Sequence, residues 1–304
     1  MKTIHKVLSS SSAALVAVLA AACGEPVGNP CQSANGDFAV TYELVAKTGS
    51  AKCDALVQVG DIVGLTSFNK AGSPGQLPRY DQPGSLAMQT PLAGDELAAY
   101  VDGYGATVNP GDRAYALGNF ASATPVNDVC ALPSFAPAHL RFTAIAATPD
   151  DPSTTESEAD PGLPAFEGSW SWSNVSLLNS ADAPGTAFAG TLKTTVPDED
   201  GNACSFEYKT VGLFPAIPCN ADDETKPIAD ADGHAPDHAD WEPTFEQKAF
   251  PLACAAEADP DPAKGHTVGS GINPNFRTVC AEFVAGSAYY CVLESTFAKS
   301  IFRQ

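Results

Sequence analysis

Phe38-Ala39-Val40-Thr41-Tyr42-Glu43-Leu44 is the stretch that decides the fold class. Its apolar side chains fall on alternate positions. Phe38, Val40, Tyr42 and Leu44 therefore share one face of an extended chain, the period of a half-buried β-strand. Working outward, Thr48-Gly49-Ser50 reads as a turn, and Leu56 to Leu65 supplies one or two further strands. Near the other end, Thr278 to Val284 and Tyr289 to Leu293 read as a hairpin around Gly286-Ser287. The chain holds 25 glycines and 25 prolines scattered along 304 residues. No long segment keeps a helical period through that punctuation. Helix is expected only in short pieces, such as Asp95 to Tyr100 and Glu246 to Ala256. The expected fold class is all-β, built of one or two disulfide-stapled antiparallel sandwich-like modules with little helix.

The cysteines and the amino terminus belong to one reading. Residues 1–22 read MKTIHKVLSSSSAALVAVLAAA. Lys2 and Lys6 form a basic region, and Ala13 to Ala22 form an apolar run too short to span a bilayer. The segment Leu19-Ala20-Ala21-Ala22-Cys23 resembles the lipobox of bacterial lipoproteins. That resemblance implies a diacylglycerol on the Cys23 thiol and removal of residues 1–22. Ala20-x-Ala22 also reads as an ordinary secretory cleavage site, which would give a soluble exported protein. Cysteine parity separates the two. Nine cysteines leave one unpaired in an exported chain, whereas lipidation of Cys23 leaves Cys31, Cys53, Cys130, Cys204, Cys219, Cys254, Cys280 and Cys291 for four disulfides. Local pairing favours Cys31 with Cys53 and Cys204 with Cys219. Cys280 and Cys291 face each other only if the hairpin turn centres on Ala285-Gly286. No Cys-x-x-Cys pair occurs, which disfavours redox and zinc-ribbon chemistry.

Removing residues 1–22 takes away Lys2 and Lys6 and no acidic residue, leaving 14 Lys and Arg against 36 Asp and Glu, a net charge of −22. A surface this acidic repels nucleic acid. The expected organisation is a signal peptide over 1–22, a lipid-attached tether over 23–36 and a β module over 37–147. An acidic linker over 148–164 leads to a second β module over 165–304, which carries a long acidic loop at 220–243. Gly118-Asn119-Phe120 with Pro125 and Cys130 is echoed by Gly190-Thr191-Leu192 with Pro197 and Cys204. Either a β module is duplicated, or one strand–turn–strand pattern arose twice.

Chemistry-bearing motifs are sparse. Asp230, Asp232, His234, Asp237 and His238 crowd into nine residues, and Asp-x-Asp-Gly resembles half of a calcium loop. Asp198-Glu199-Asp200-Gly201-Asn202 is a similar fragment. Neither has the later bidentate Glu of an EF-hand. Pro236 prevents His234 and His238 from sharing a helical face for zinc. A solvated acidic loop is the plainer reading, with calcium as the one cofactor in question. Trp170 and Trp172 lie on one strand face, with serines on the other. They are either core or, if exposed, a platform on which sugar rings stack. The chain has no Gly-x-Ser-x-Gly elbow, His-Glu-x-x-His or Walker loop. The expected function is that of an envelope-anchored lipoprotein at the outer membrane or cell surface. It would act as a non-catalytic binding or interaction module for an envelope protein or polysaccharide. The alternative is an envelope hydrolase using two carboxylates that converge in a cleft, one with a raised pKa.

Overall fold

The computed structural model describes residues 29–73, 79–148, 160–219, 254, 270–284 and 288–302. The strand read at 38–44 lies within β1 (Gly36–Thr48), followed by a 3₁₀ turn at Ala51–Leu56 whose first turn is capped by Ser50. Next come β2 (Gly60–Phe68), β3 (Ser85–Gln89) and helix α1 (Pro91–Ala98), which runs on as a π turn over Ala99–Gly103. Then follow β4 (Ala116–Asn119), β5 (Val129–Ala136), β6 (Ala138–Phe142), β7 (Phe166–Asn179), β8 (Pro184–Pro197) and β9 (Ala203–Leu213). A hairpin of β10 (Thr278–Val284) and β11 (Ala288–Leu293) precedes helix α2 (Ser295–Phe302).

Among the described residues, β1 to β9 form one antiparallel sheet in the order β5-β4-β3-β2-β1-β9-β8-β7-β6, and β5 also pairs with β7. That last pairing joins the ends. β6 continues β5 beyond Pro137, and the two lie along β7 from Val129↔Leu178 to Phe142↔Phe166. The result is an up-and-down barrel in which, with β5 and β6 counted as one interrupted strand, each strand pairs with its neighbours in sequence and the first pairs with the last. The fold is all-β, antiparallel and disulfide-stapled, as expected. Its layering differs from the sandwich expectation, since one sheet curls until its edges meet. Closure removes the exposed edges that an open sheet must protect. Register shifts at Leu44/Ala46, Ser173/Ser176 and Leu178/Asn179 help to bend the long strands. β6 and β7, on either side of the expected linker at 148–164, belong to this one sheet, and between them lie the bridges Ile145↔Leu163 and Thr148↔Asp160.

Alternation fills the barrel. Phe38, Val40 and Tyr42 of β1 point inward with Val63 and Leu65 of β2, Leu140 of β6, Trp170 and Trp172 of β7, Phe188 and Leu192 of β8, and Phe206 and Tyr208 of β9. Rings pack edge to face at Trp172 and Phe188, 5.9 Å between centroids, and stack at Tyr100 and Phe142, 4.4 Å apart. Glycine makes room for them. A Cβ on Gly212 would stand 2.1 Å from the Phe188 ring, and one on Gly168 would stand 2.7 Å from the rings of both Phe166 and Trp170.

A smaller unit caps the outer wall. Ala187 and Leu213 pack outward against Ile272, Leu293, Ala298 and the cysteines of the carboxyl-terminal segment, while Ala39 packs against Phe283 and Val292. The non-alternating face of β1 is thus also buried, through Ala39. The cysteines pair as Cys31–Cys130, Cys53–Cys204, Cys219–Cys280 and Cys254–Cys291. The local pairings expected for Cys31 with Cys53 and Cys204 with Cys219 are therefore corrected. Cys31 precedes β1 and is bound to β5, while Cys53 follows β1 and is bound to β9, so closure of the barrel brings distant cysteines together. Cys280 and Cys291 are register partners in the hairpin, yet each bonds to a cysteine outside it.

Candidate functional site

With the interior filled, three openings among the described residues stand out, two on the outer wall and one at a mouth. The first is a groove of about 430 Å³ across the outer face of β1, β2 and β3. The alternation that sends Val63 and Leu65 inward sends Gly64, Thr66 and Phe68 outward. Ala87 and Gln89 of β3 and Tyr115, just before β4, complete it. Phe68 and Tyr115 are the walls, Gly64 and Ala87 the floor, and Asp37, Thr66 and Gln89 the polar rim. Arg113 lies over the Tyr115 ring, its guanidinium carbon 5.7 Å from the centroid.

A second cleft, of about 640 Å³, opens on the outer face of β6, β7 and β8 around His139, Arg141, Glu167, Ser169 and Thr195. Asp112 is nearly buried there and hydrogen-bonds His139 Nδ1 at 2.8 Å. Asn109 Nδ2 donates to the other carboxylate oxygen at 3.2 Å, and Glu167 lies 3.6 Å from His139 Nε2. Burial alone would raise the Asp112 carboxyl. The hydrogen bonds from His139 and Asn109, with the charges of His139 and Arg141, outweigh it and hold the group below the usual carboxylate range.

The third feature is the mouth crossed by α1. Asp61 is the register partner of Val40 and so faces inward. Burial, together with the nearby Asp95 carboxylate, pushes Asp61 up to about 6, against the backbone N–H of Ile62 that favours its charged form. Glu96 is raised by burial and by Asp95. The Tyr42 hydroxyl is buried with no hydrogen-bond partner among the described residues, and its pKa is raised by burial, then by Asp61 and Tyr208. The recess at this mouth, about 230 Å³, is lined mainly by apolar groups such as Leu56, Leu92, Trp170 and Phe206.

The residues singled out in the sequence fall elsewhere. Trp170 and Trp172 share one face as expected, but it is the interior face, and they are 2% and 1% exposed. Their rings contact the core, so they offer no platform for a sugar. Asp230, Asp232, His234, Asp237 and His238 lie outside the described residues, as does Cys23. In the fragment 198–202, Asp198 accepts hydrogen bonds from the N–H groups of Asp200 and Asn202 and from the Ser50 hydroxyl. Lys52 pairs with Glu199 and Asp200. Its carboxylates thus close the β8–β9 hairpin onto the 3₁₀ turn. Sulfurs cluster twice, Cys219 with Cys254 and Cys291, and Cys53 with Cys204 beside Asp198. Every one of those sulfurs is held in a disulfide. Phe68 and Tyr115 were not singled out by sequence reading. Phe68 was legible as an aromatic on the polar side of the alternation Val63-Gly64-Leu65-Thr66-Ser67-Phe68. Tyr115, between two small alanines, gave no such signal.

Comparison with known proteins adds a family. Residues 36–215, the barrel from the start of β1 to just beyond β9, match the model of the MlpA family. Over 271 residues the chain is 25% identical to a Myxococcus xanthus protein named "Putative lipoprotein MlpA", which covers 88% of this chain and 86% of that protein. No solved structure matches.

Proposed function

The chain belongs to the MlpA family, and we propose that it is an envelope-anchored lipoprotein that works as a non-catalytic binding module. The anchor is the acylated Cys23, which places the barrel on the outer membrane or cell surface. Two or more acyl chains suffice for stable attachment. Among the described residues no helix is long and apolar enough to cross a membrane. The name of the Myxococcus xanthus relative and the lipobox at 19–23 support this reading from independent directions.

The observation that carries the binding role is the division between inside and outside. The barrel interior is occupied by its own aromatic side chains, whereas the wall keeps open grooves beside the cap. A partner or ligand therefore meets the outer wall. The experiment is fractionation of cells expressing the Cys23→Ser protein. The wild type sediments with membranes, and the variant moves to the soluble periplasmic or secreted fraction. A variant that stays with the membrane overturns the anchor.

One observation favours the second reading, a carboxylate hydrolase. Asp61, pushed up to about 6 by burial and by the nearby Asp95, has the raised pKa that a general acid of this class uses. On that reading, release of reducing sugar from envelope polysaccharide is abolished by Asp61→Asn.

A further inference from the structure

The groove between Phe68 and Tyr115 has features that the packing of the protein does not require. Phe68 is 52% exposed and Tyr115 42% exposed, on a part of the wall that neither the interior nor the described residues of the cap cover. Between them the floor is bare. A Cβ built on Gly64 would meet only Asp37 Oδ1 and the Gln89 carbonyl oxygen, each at 3.9 Å.

The Tyr115 wall is held in advance of any ligand, and the strand that carries Phe68 is anchored beside it. Arg113 covers one side of Tyr115, and its Nε donates to the Pro137 carbonyl at 3.3 Å. The Arg113 backbone exchanges two 2.9 Å hydrogen bonds with His139. On the other side, the backbone N–H of Ser67, next to Phe68, donates to Asn35 Oδ1 at 2.9 Å. A side chain held as Tyr115 is loses little freedom when a ligand arrives.

The chemistry of the rim narrows the ligand. Asp37 is its one charged group, and Thr66 and Gln89 are neutral hydrogen-bonding groups. In a chain this acidic, polyanions are repelled. A purely aliphatic ligand leaves the rim unused. A flat ring with C–H faces and hydroxyl edges uses both parts, its faces against Phe68 and Tyr115 and its hydroxyls on Asp37, Thr66 and Gln89. A volume of about 430 Å³ lies within the range of small-ligand sites. The groove also begins at Gly36, so the segment from Cys23 allows it at most about 45 Å from the lipid.

We propose that this groove binds an uncharged oligosaccharide segment of the cell envelope. The inference rests on the binding-module reading and names its ligand class. The test titrates the full-length lipoprotein, in detergent, with chitotetraose and cellotetraose, and with tetragalacturonate as the charged counterpart, followed by calorimetry. At least one neutral tetrasaccharide binds saturably, and tetragalacturonate binds about tenfold more weakly or worse. Phe68→Ala and Tyr115→Ala each weaken the neutral sugar by about tenfold. Both side chains are exposed, so the variants keep the wild-type melting temperature, which is measured alongside. The Cys23→Ser protein retains the affinity, so failure of the anchor and failure of the groove are told apart. The proposal is overturned if neither neutral sugar binds, if binding survives the double variant, or if tetragalacturonate binds as well as the neutral sugars.

Discussion

The barrel and the carboxyl-terminal cap are held together by different means. The barrel closes on itself, so its strands leave no open circuit, and its interior is a continuous mass of large rings and aliphatic chains. Its two disulfides join residues 99 and 151 positions apart and fasten both ends of β1 to strands that already pair in the sheet. Among its described residues the cap has one hairpin, one short helix and a thin apolar cluster, completed by barrel-wall residues that include Ala187, Leu213, Ala39, Leu178, Val211 and Ile62. An isolated hairpin is marginal in water. Two disulfides spanning 61 and 37 positions lie side by side through that cluster. Burial therefore stabilises the first unit, and cross-links compensate for its shortage in the second.

The largest test strikes the barrel. Trp172 is 1% exposed and packs edge to face on Phe188. Trp172→Ala leaves a cavity that the neighbouring strands cannot fill, and the expected loss is about 3–5 kcal/mol. Denaturant melts followed by far-ultraviolet circular dichroism measure it. A change below about 1 kcal/mol would mean that the interior is less tightly packed than its burial indicates.

A smaller and more local loss is expected in the cap. The pair Cys254→Ser and Cys291→Ser removes one cross-link, worth about 2–4 kcal/mol. Hydrogen exchange then shows β10, β11 and α2 opening while β1 to β9 keep their protection. If barrel and cap lose protection together, the two are a single cooperative unit and the contrast fails.

The same contrast explains what could be read in the sequence. The period-2 pattern at 38–44 was legible because one face of β1 is apolar over three successive turns of the alternation, Phe38, Val40 and Tyr42. The terminal hairpin was legible for a similar reason, with two β-rich runs around a turn. Closure was not legible, because it depends on the pairing of β5 with β7 and of β1 with β9, and no local pattern encodes long-range register. The disulfides failed with it. Cys31 and Cys53 are near in sequence, but β1 runs between them and carries them to opposite ends of the barrel. The echo between residues 118–130 and 190–204 corresponds to two hairpins, β4–β5 and β8–β9, each beginning its second strand at a disulfide-bonded cysteine. Trp170 and Trp172 showed their shared face but not which side of the sheet it was, and that distinction separates core from platform.

The last test concerns the mouth, where the barrel's burial works against it. Asp61 faces inward beneath α1, close to Asp95, with Tyr42 above. Its folded pKa of about 6 exceeds the ordinary carboxyl value. The folded state therefore binds the Asp61 proton more tightly than the unfolded chain. The stabilisation this gives is fully present below about pH 4 and is lost as pH rises through 6. Above that, the protein carries a half-buried anion that has no partner cation among the described residues. Asn at this position keeps an oxygen for the Ile62 N–H but never ionises. Asp61→Asn should thus match the wild type near pH 4 and exceed it by about 2 kcal/mol at pH 8, allowing for the partial solvent access of the site. Thermal melts of both proteins from pH 4 to 8 decide the matter. Parallel curves would show that the carboxylate is solvated at the mouth and that the barrel is more open there than at its centre. A gap that opens between pH 5 and 7 would show that the dry interior reaches as far as α1. The cap, bound by cross-links over a thin cluster, has no comparable buried carboxylate among its described residues, so its exchange rates should not follow the same titration.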